Sequence, residues 1–238
     1  MKLADFSVLT FDCYGTLIDW ERGILAALAP LRVKAGRGLS DDAILETFAG
    51  IESRQQKMTP AMPYSDLLAQ VHSQLATAWG VAPEAAEAAR FGGSIGDWPA
   101  FPDTVEALHY LKQHYRLVIL SNVDRAGFQA TQMRLGVVPD AVHTAQDIGS
   151  YKPDPRNFAY LMQRLAADGV EAGRVLHVAQ SLFHDHVPAN AVGLASAWID
   201  RRHSASGSGA TVPVSANVRY DFRFTDMAGL VEAHRAGH

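Results

Sequence analysis

Cysteine is almost absent from this chain, because Cys13 is the only one among its 238 residues. A single thiol cannot form an internal disulfide, which excludes the small disulfide-stabilised folds of many secreted proteins. The chain also lacks an apolar stretch of the roughly 18 residues that span a bilayer, and its first residues lack the pattern of a secretory signal. These absences predict a cytoplasmic protein without a membrane partner.

An excess of basic charge is lacking as well. The chain has 21 Lys and Arg against 25 Asp and Glu, a formal net charge of -4, and this balance does not favour a nucleic-acid partner. Hydrophobic residues make up 48% of the chain and charged residues 19%, as is typical of a globular protein. The length is sufficient for one core domain and a smaller inserted domain.

Short apolar runs alternate with helical patterns from about Phe101 onward, which is typical of an α/β fold with a doubly wound parallel sheet. Strands are expected in the apolar run before Asp12 and at 117–120, 141–143, 175–178 and 195–199. The segment between the first two strands has helical patterns instead, near 24–31, 41–58, 64–79 and 83–90. The sequence therefore predicts a core formed by 1–18 and 99–238 and an all-helical insertion formed by 19–98.

The first apolar run ends in the segment Phe11-Asp12-Cys13-Tyr14-Gly15-Thr16-Leu17. Asp12 is thereby placed at the C-terminal end of a strand, where open parallel sheets form their ligand crevices. Cys13 then points to the opposite side of the strand, and we interpret it as a buried structural thiol. Taken alone, Asp12 could equally cap the turn that follows it.

Three later segments place polar residues near the ends of other strands. They are Ser121-Asn122, Ser150-Tyr151-Lys152-Pro153-Asp154-Pro155 and Ala179-Gln180-Ser181-Leu182-Phe183-His184-Asp185. In the second segment, Asp154 is expected to cap a helix that begins at Pro155. Each segment alone is ambiguous, since Ser-Asn pairs are common in turns and a single lysine is usually solvated.

Together these segments resemble the four motifs of the haloacid dehalogenase (HAD) superfamily, in the form found in its L-2-haloacid dehalogenases. The phosphatases of that superfamily carry an aspartate where this chain has Tyr14, and a Gly-Asp pair with a magnesium ligand where it has Ala179-Gln180. Because Mg²⁺ usually needs one or two carboxylates, both absences disfavour a magnesium-dependent enzyme. The resemblance implies a Rossmann-like core, an inserted helical cap and a reaction that needs no metal or other cofactor.

The resemblance also implies roles for particular residues. Asp12 would be the nucleophile, oriented by Thr16, and Lys152 would pair with it and, together with Asp185, help to activate water. Substrate-binding positions would be Tyr14, Ser121, Asn122 and Ser181.

Arg54 is the candidate for halide binding. On the helix expected at 41–58, Ile44, Phe48 and Ile51 form one apolar stripe, and Arg54 continues this stripe three residues further on. We therefore expect Arg54 on or beside the buried face, where the resembled enzymes carry a cap arginine. Tyr64, which begins a second apolar stripe, is a further candidate to reach the pocket.

Three histidines near the fourth motif have simpler interpretations. His177 lies within an apolar run and is interpreted as a core histidine with satisfied hydrogen bonds. His184 and His186 flank Asp185, but nothing in their spacing indicates a metal site, and we expect local hydrogen bonds for both.

The predicted function is hydrolysis of a small 2-haloacid to a 2-hydroxyacid and halide through an ester on Asp12. Its partners would be the 2-haloacid and the halide, and a homodimer is one expected assembly because dimers are common in the resembled family. Two alternatives stay open at this point. One is a HAD phosphatase acting on a small phosphate ester, and the other is a non-catalytic binding protein with the same fold.

Overall fold

Six parallel strands form the central sheet of the computed structural model, which describes residues 1–36, 38–205, 207–214 and 217–237. The strands are β1 (Val8–Phe11), β2 (Arg116–Ser121), β3 (Ala141–Thr144), β4 (Val175–Ala179), β5 (Ala195–Ile199) and β6 (Phe222–Phe224). Their order is β3-β2-β1-β4-β5-β6, and every neighbouring pair is parallel. The predicted α/β class with a doubly wound parallel sheet is confirmed.

The three central strands are buried on both faces. Every residue of β1 and β4 is buried, as are all residues of β2 except the first. Successive β1 residues alternate between two apolar clusters, since Val8 packs with Phe158 on one side of the sheet and Leu9 packs with the larger cluster on the other. Double burial explains why these strands are continuous apolar runs in the sequence.

The helices that follow the strands cover both faces of this sheet. They are α5 (Thr104–Leu111), α6 (Arg125–Leu135), α7 (Ala145–Ile148), α8 (Pro155–Ala167), α9 (Val187–Ala191) and α10 (Met227–Arg235). Helix α8 begins as predicted, with the Asp154 carboxylate accepting a hydrogen bond from the Arg156 amide and Pro155 in the first turn. None of the described helices is both long enough and apolar enough to cross a membrane.

Four further helices, α1 (Trp20–Ala35), α2 (Asp41–Met58), α3 (Tyr64–Ala78) and α4 (Ala85–Gly92), lie between β1 and β2 in the chain. We call residues 20–92 the helical insertion. Helix α2 has the predicted bounds. At its start, the Ser40 hydroxyl accepts a hydrogen bond from the Ala43 amide and so caps the helix. Helices α3 and α4 approach so closely that a Cβ atom at Gly92 would lie 2.4 Å from the Ser65 carbonyl oxygen.

The two connections between the sheet and the insertion run side by side. Ile18 and Ala100 form an antiparallel bridge, and the Asp19 amide donates a hydrogen bond to the Pro99 carbonyl oxygen at 2.8 Å. The insertion is thus joined to the sheet by one adjacent pair of segments. The division into a core and a separate cap at 18/19 and 98/99 stays a prediction.

Candidate active site

The site is built where the strand order reverses. Strands β2 and β4 flank β1 on opposite sides, and in open α/β sheets ligands bind beyond the C-terminal ends of the strands at such a reversal. Asp12 follows β1 directly, and Gln180 follows β4. Gly15 turns the chain away from the sheet with φ +94°, where a Cβ atom would also lie 3.0 Å from Trp20 Nε1.

Both oxygens of the Asp12 carboxylate are held by buried side chains. Lys152 Nζ donates a hydrogen bond to Asp12 Oδ1 at 2.9 Å, and Thr16 Oγ1 donates to Oδ2 at 2.7 Å. Thr16 Oγ1 in turn accepts a hydrogen bond from the Gln180 amide at 2.9 Å. This network fixes the carboxylate in one orientation at the end of β1.

Lys152 is 1% exposed, and the three acceptors around its ammonium group match its three N–H bonds. Besides Asp12, they are the Leu120 carbonyl oxygen at 3.0 Å and Asp185 Oδ1 at 2.7 Å. The backbone of Lys152 is held by the Asn122 side chain, which accepts from the Lys152 amide at 2.7 Å and donates to its carbonyl oxygen at 3.0 Å. Asn122 therefore positions the lysine.

Asp185 is fully buried, and besides Lys152 it has a second partner, which lies on strand β4. Its Oδ1 atom lies 3.0 Å from His177 Nε2, and His177 Nδ1 lies 2.8 Å from Thr10 Oγ1. The prediction that His177 has satisfied hydrogen bonds in the core is confirmed. The sequence did not indicate that this histidine also contacts a residue of the site.

Burial and ion pairing oppose each other in the pKa values of this cluster. For Lys152, burial lowers the pKa, but the Asp12 and Asp185 carboxylates outweigh it and raise the pKa above its usual value. For Asp185, burial raises the pKa, whereas Lys152 and the hydrogen bond from His177 hold it well below its usual range. For Asp12, burial dominates over the lowering effect of Lys152, so that its pKa lies above the usual value for aspartate.

A cavity of about 30 Å³ adjoins this cluster. Its lining comes from the ends of β1, β2 and β4, from the segment before α8, from the segment between β5 and β6 and from the helical insertion: Asp12, Tyr14, Trp20, Glu52, Gln56, Tyr64, Asn122, Lys152, Gln180, Ser181, His184, Asp185 and Thr211. The volume is small compared with the roughly 300–1,000 Å³ of typical ligand pockets. A substrate can therefore enter only when residues of the wall move.

The structure brings most of the predicted site residues together. Tyr14 lines the cavity, and its hydroxyl group lies 2.8 Å from Thr131 Oγ1 on α6. Ser181 also lines the cavity, and its hydroxyl accepts a hydrogen bond from the His184 amide at 3.0 Å. Ser121 differs, because it is buried at the end of β2 and is not part of the cavity wall.

The prediction that Arg54 lies on or beside the buried face of α2 is wrong. Arg54 is exposed, and it does not line the cavity. The inward side of α2 continues from Phe48 through Glu52 and Gln56, and these two reach the cavity wall. A spacing of four residues from Phe48, instead of three from Ile51, leads to Glu52 and would have identified this side.

Glu52 and Tyr64 bring a carboxyl–phenol pair from the helical insertion to the cavity. The Tyr64 hydroxyl donates a hydrogen bond to Glu52 Oε1 at 2.6 Å. Tyr64 also lines the cavity, so the expectation that it reaches the pocket is confirmed. Burial raises the pKa of Glu52 to about 7, although the hydrogen bond from Tyr64 lowers it in part. Glu52 was not predicted from the sequence, because a carboxylate at the end of an apolar stripe is usually solvated.

His184 was predicted to form only local hydrogen bonds, but it also lines the cavity. Its Nδ1 atom lies 3.0 Å from Ser181 Oγ, as the prediction of local hydrogen bonds requires. Its Nε2 atom, in contrast, is buried without a hydrogen-bond partner among the described residues. Burial lowers the pKa of His184 to about 4, so the imidazole is neutral at ordinary pH.

The residues of the site do not fit a magnesium ion. Within the described ranges, no group of three or more His, Cys, Asp and Glu side chains is arranged to hold a metal ion. The two carboxylates of the cluster, Asp12 and Asp185, are both bonded to Lys152, and the flanking positions carry Tyr14 and Gln180. Mg²⁺ requires hard oxygen ligands in octahedral geometry, which this donor set does not offer.

The remaining predictions for the first motif concern Cys13. Its thiol is fully buried within the larger apolar cluster, and burial raises the pKa of Cys13 well above its usual value. A thiol in this state is a poor nucleophile. The interpretation of Cys13 as a structural residue is confirmed.

Fold and site together define an α/β protein with a buried carboxylate–lysine pair in the crevice of its sheet. The sequence model of the haloacid dehalogenase-like hydrolases matches residues 6–181. The chain belongs to this family of hydrolases. A search of the curated proteins returns no match.

Solved structures with the same fold cover nearly the whole chain. The L-2-haloacid dehalogenase PA0810 is 25% identical, with a TM-score of 0.75 over 97% of this chain and 99% of that one. The L-2-haloacid dehalogenase of Xanthobacter autotrophicus with chloropropionic acid covalently bound is 21% identical, with a TM-score of 0.77 over 98% and 100%. A putative HAD-hydrolase of Bacillus subtilis bound to magnesium, YfnB, is 17% identical, with a TM-score of 0.76 over 95% and 97%.

Proposed function

We propose that this hydrolase cleaves the carbon–halogen bond of a small 2-haloacid and releases a 2-hydroxyacid and halide. The observation that carries the proposal is the Asp12 carboxylate, held between Lys152 and Thr16 in a crevice whose donors do not suit magnesium. The likeness to L-2-haloacid dehalogenases, one of them with chloropropionic acid covalently bound, supports it.

In the first step, an oxygen of Asp12 attacks the carbon that bears the halogen. A carbon–oxygen bond forms while the carbon–halogen bond breaks, and the halide leaves with the bonding electron pair. Lys152 and Thr16 keep the attacking carboxylate in line, and both favour its ionised form against the effect of burial on its pKa. The product of this step is an ester between Asp12 and the acid.

In the second step, water attacks the carbonyl carbon of the Asp12 ester and releases the 2-hydroxyacid. A nearby base must take the proton of the water. Asp185 Oδ2 and His184 Nε2 are buried without partners among the described residues, and both residues line the cavity. We assign one proton of the water to Asp185, which returns it to the ester oxygen when the bond between that oxygen and the carbonyl carbon breaks; the second proton passes to solvent as Asp12 regains its carboxylate. His184 orients the water, and Lys152 stabilises the negative charge on the carbonyl oxygen.

Entry of the substrate requires movement of the helical insertion. A haloacid has at least five non-hydrogen atoms and cannot fit a cavity of about 30 Å³. The side-by-side connections at Ile18 and Ala100 are the natural hinge for residues 19–98 to act as a cap. Closure would then exclude bulk water from the ester.

The test is halide release from chloro-, bromo- and fluoroacids, measured with and without a chelator. We expect release that is insensitive to the chelator and is lost in Asp12→Asn, whereas Asp97→Asn, at an exposed position, behaves as the wild type. In water labelled with heavy oxygen, a single turnover should place the label in Asp12. Full activity of Asp12→Asn, or label found only in the product, would refute the mechanism.

The same assay separates the two alternatives. A phosphatase would release phosphate from an aryl phosphate only with added magnesium, and a binding protein would give no turnover that depends on Asp12. Neither is favoured, because the donor set does not fit magnesium and the cluster of Asp12, Lys152 and Asp185 is complete.

A further inference from the structure

Glu52 is a carboxyl group at the cavity that takes part in neither step of the proposed reaction. It is 3% exposed and lines the same cavity as Asp12. Its Oε1 atom accepts the hydrogen bond from Tyr64, and no other hydrogen bond to this carboxyl group is formed by the described residues. One oxygen of a buried carboxyl group at the cavity is therefore uncommitted.

Among the described residues that line the cavity, none offers an uncommitted cation to a substrate carboxylate. Three carboxyl groups, Asp12, Glu52 and Asp185, line it together with one ammonium group, that of Lys152. All three N–H bonds of that ammonium are used by protein acceptors. Among the described residues of the wall, none is an arginine.

An ionised Glu52 would add a second obstacle. Its charge would repel an anionic substrate across a small, poorly solvated space, and a buried carboxylate without a cation is itself costly. A neutral Glu52 removes both difficulties, since a protonated carboxyl group has one O–H donor. Tyr64 already donates to Oε1, which suits Oε1 as the carbonyl oxygen of that acid.

We propose that Glu52 is a specificity-determining residue that binds the substrate carboxylate as a neutral acid, donating a hydrogen bond from Oε2 to a carboxylate oxygen. This rests on the proposed function for the identity of the substrate. It makes the enzyme selective for small carboxylates through a proton instead of an arginine. Binding must then weaken when Glu52 loses that proton.

Among the groups that face Glu52, the tyrosines, Lys152 and His184 do not titrate in the same range. The groups that face it are Asp12 and Tyr14 after β1, Tyr64 on α3, Tyr151 and Lys152 before α8, and His184 and Asp185 after β4. Burial raises the pKa of all three tyrosines above the usual value, and the pKa of Lys152 is raised by its two carboxylates. The pKa of His184 is about 4, whereas that of Glu52 is about 7.

The direct test is to measure, by titration calorimetry, the binding of lactate, a 2-hydroxyacid anion that cannot react. With a pKa of about 7 for Glu52, the neutral fraction falls about 30-fold between pH 6 and pH 8.5, and lactate affinity should fall by the same factor. At pH 8.5, binding should take up one proton per lactate. Glu52→Gln, which keeps a neutral donor, should bind with an affinity that does not change over this range.

Two further variants complete the experiment. Glu46→Gln, at an exposed position of the same helix, should follow the wild-type pH dependence, and Glu52→Ala should weaken lactate binding at pH 6 by about 10- to 100-fold. No lactate binding at pH 6, or a wild-type affinity that is equal at pH 6 and pH 8.5, would overturn the proposal. So would loss of binding in Glu52→Gln at both pH values, because a neutral donor at this position should still bind lactate.

Halide release distinguishes this inference from the proposed function. If the wild type binds lactate with the expected pH dependence but releases no halide from any haloacid, the dehalogenase assignment fails and the carboxylate site stands. If halide is released with the same kcat/KM in the wild type and in Glu52→Ala, the assignment stands and the role of Glu52 fails.

Discussion

His177 Nε2 lies 3.0 Å from Asp185 Oδ1 at the centre of the sheet, and the imidazole is fully buried. The other ring nitrogen lies 2.8 Å from Thr10 Oγ1, on the neighbouring strand. A line of hydrogen bonds therefore runs from β1 through β4 to Asp185 and on to Lys152. His177 acts on the site through Asp185 and is a positioning residue.

Replacement of this histidine should move the acid limb of the pH profile. In His177→Leu, Asp185 loses one of the two contacts that offset the effect of burial on its pKa, so it should protonate at a higher pH and activity should be lost earlier on acidification. Near neutral pH we expect kcat to fall by about 10- to 100-fold with a smaller change in KM. Thr10→Val, which removes only the far contact, should have the weaker effect, and an unchanged acid limb in His177→Leu would contradict this role.

Lys152 should be essential for stability as well as for turnover. Lys152→Met leaves Asp12 and Asp185 buried without their cation, which costs about 3–5 kcal/mol. The loss should be smaller at pH 5 than at pH 8, because protonation relieves the two carboxylates. Urea unfolding at both pH values checks this, with Lys57→Met, at an exposed position, as control. Equal losses at both pH values would show that the carboxylates do not cause the effect.

Asp124 ties the sheet domain to the helical insertion. Its Oδ1 atom accepts a hydrogen bond from the Gly127 amide at 2.7 Å, which caps α6, and Oδ2 accepts one from the Ser65 amide at 2.8 Å, in the first turn of α3. Asp124→Asn can keep the cap, but its amide nitrogen cannot accept from Ser65.

In Asp124→Asn we therefore expect looser attachment of the insertion. Hydrogen exchange at the start of α3 should be faster, and KM should rise by about 10-fold with little change in kcat, since a hydrogen bond to a charged acceptor is lost. Exchange at the end of α3 serves as the internal reference. Unchanged protection at Ser65 would mean that this contact does not hold the insertion in place.

The sheet and the catalytic cluster could be predicted because each has a local signal. Doubly buried strands produce continuous apolar runs, and Asp12 and Lys152 stand at the ends of such runs or just before a helix with Pro in its first turn. Strand β6 was not predicted, since its three residues, Phe222–Phe224, are not buried. A short, half-exposed edge strand lacks the burial that makes a strand visible in sequence.

The part of the cavity wall that the insertion forms could not be predicted in the same way, because the sequence does not determine which side of α2 faces the cavity. Glu52 and Arg54 are two positions apart on α2, which places them about 200° apart around the helix. Choosing Ile51 or Phe48 as the reference therefore decides which of them faces the cavity. Tertiary contacts settle this choice: the hydrogen bond from Tyr64 keeps Glu52 inside, and that pairing has no signature in the sequence.

Burial of Glu52 should make the free energy of unfolding depend on pH. The pKa is about 7 in the folded protein and has the usual value of 4.5 once the chain unfolds. Between these values the unfolded chain releases the proton while the folded protein keeps it, so stability is fully present below pH 4.5 and falls as the pH rises through 7. The difference corresponds to about 3 kcal/mol.

Glu52→Gln removes this dependence because its amide does not ionise. Relative to the wild type, the variant should therefore gain about 3 kcal/mol between pH 4.5 and pH 8, whatever its offset at the lower pH. Urea unfolding at pH 4.5, 6 and 8 measures the gain, and Glu46→Gln, exposed on the same helix, should show none. A constant difference between Glu52→Gln and the wild type would mean that Glu52 is already ionised in the folded protein, and the site would then carry a fixed negative charge where a carboxylate substrate has to bind.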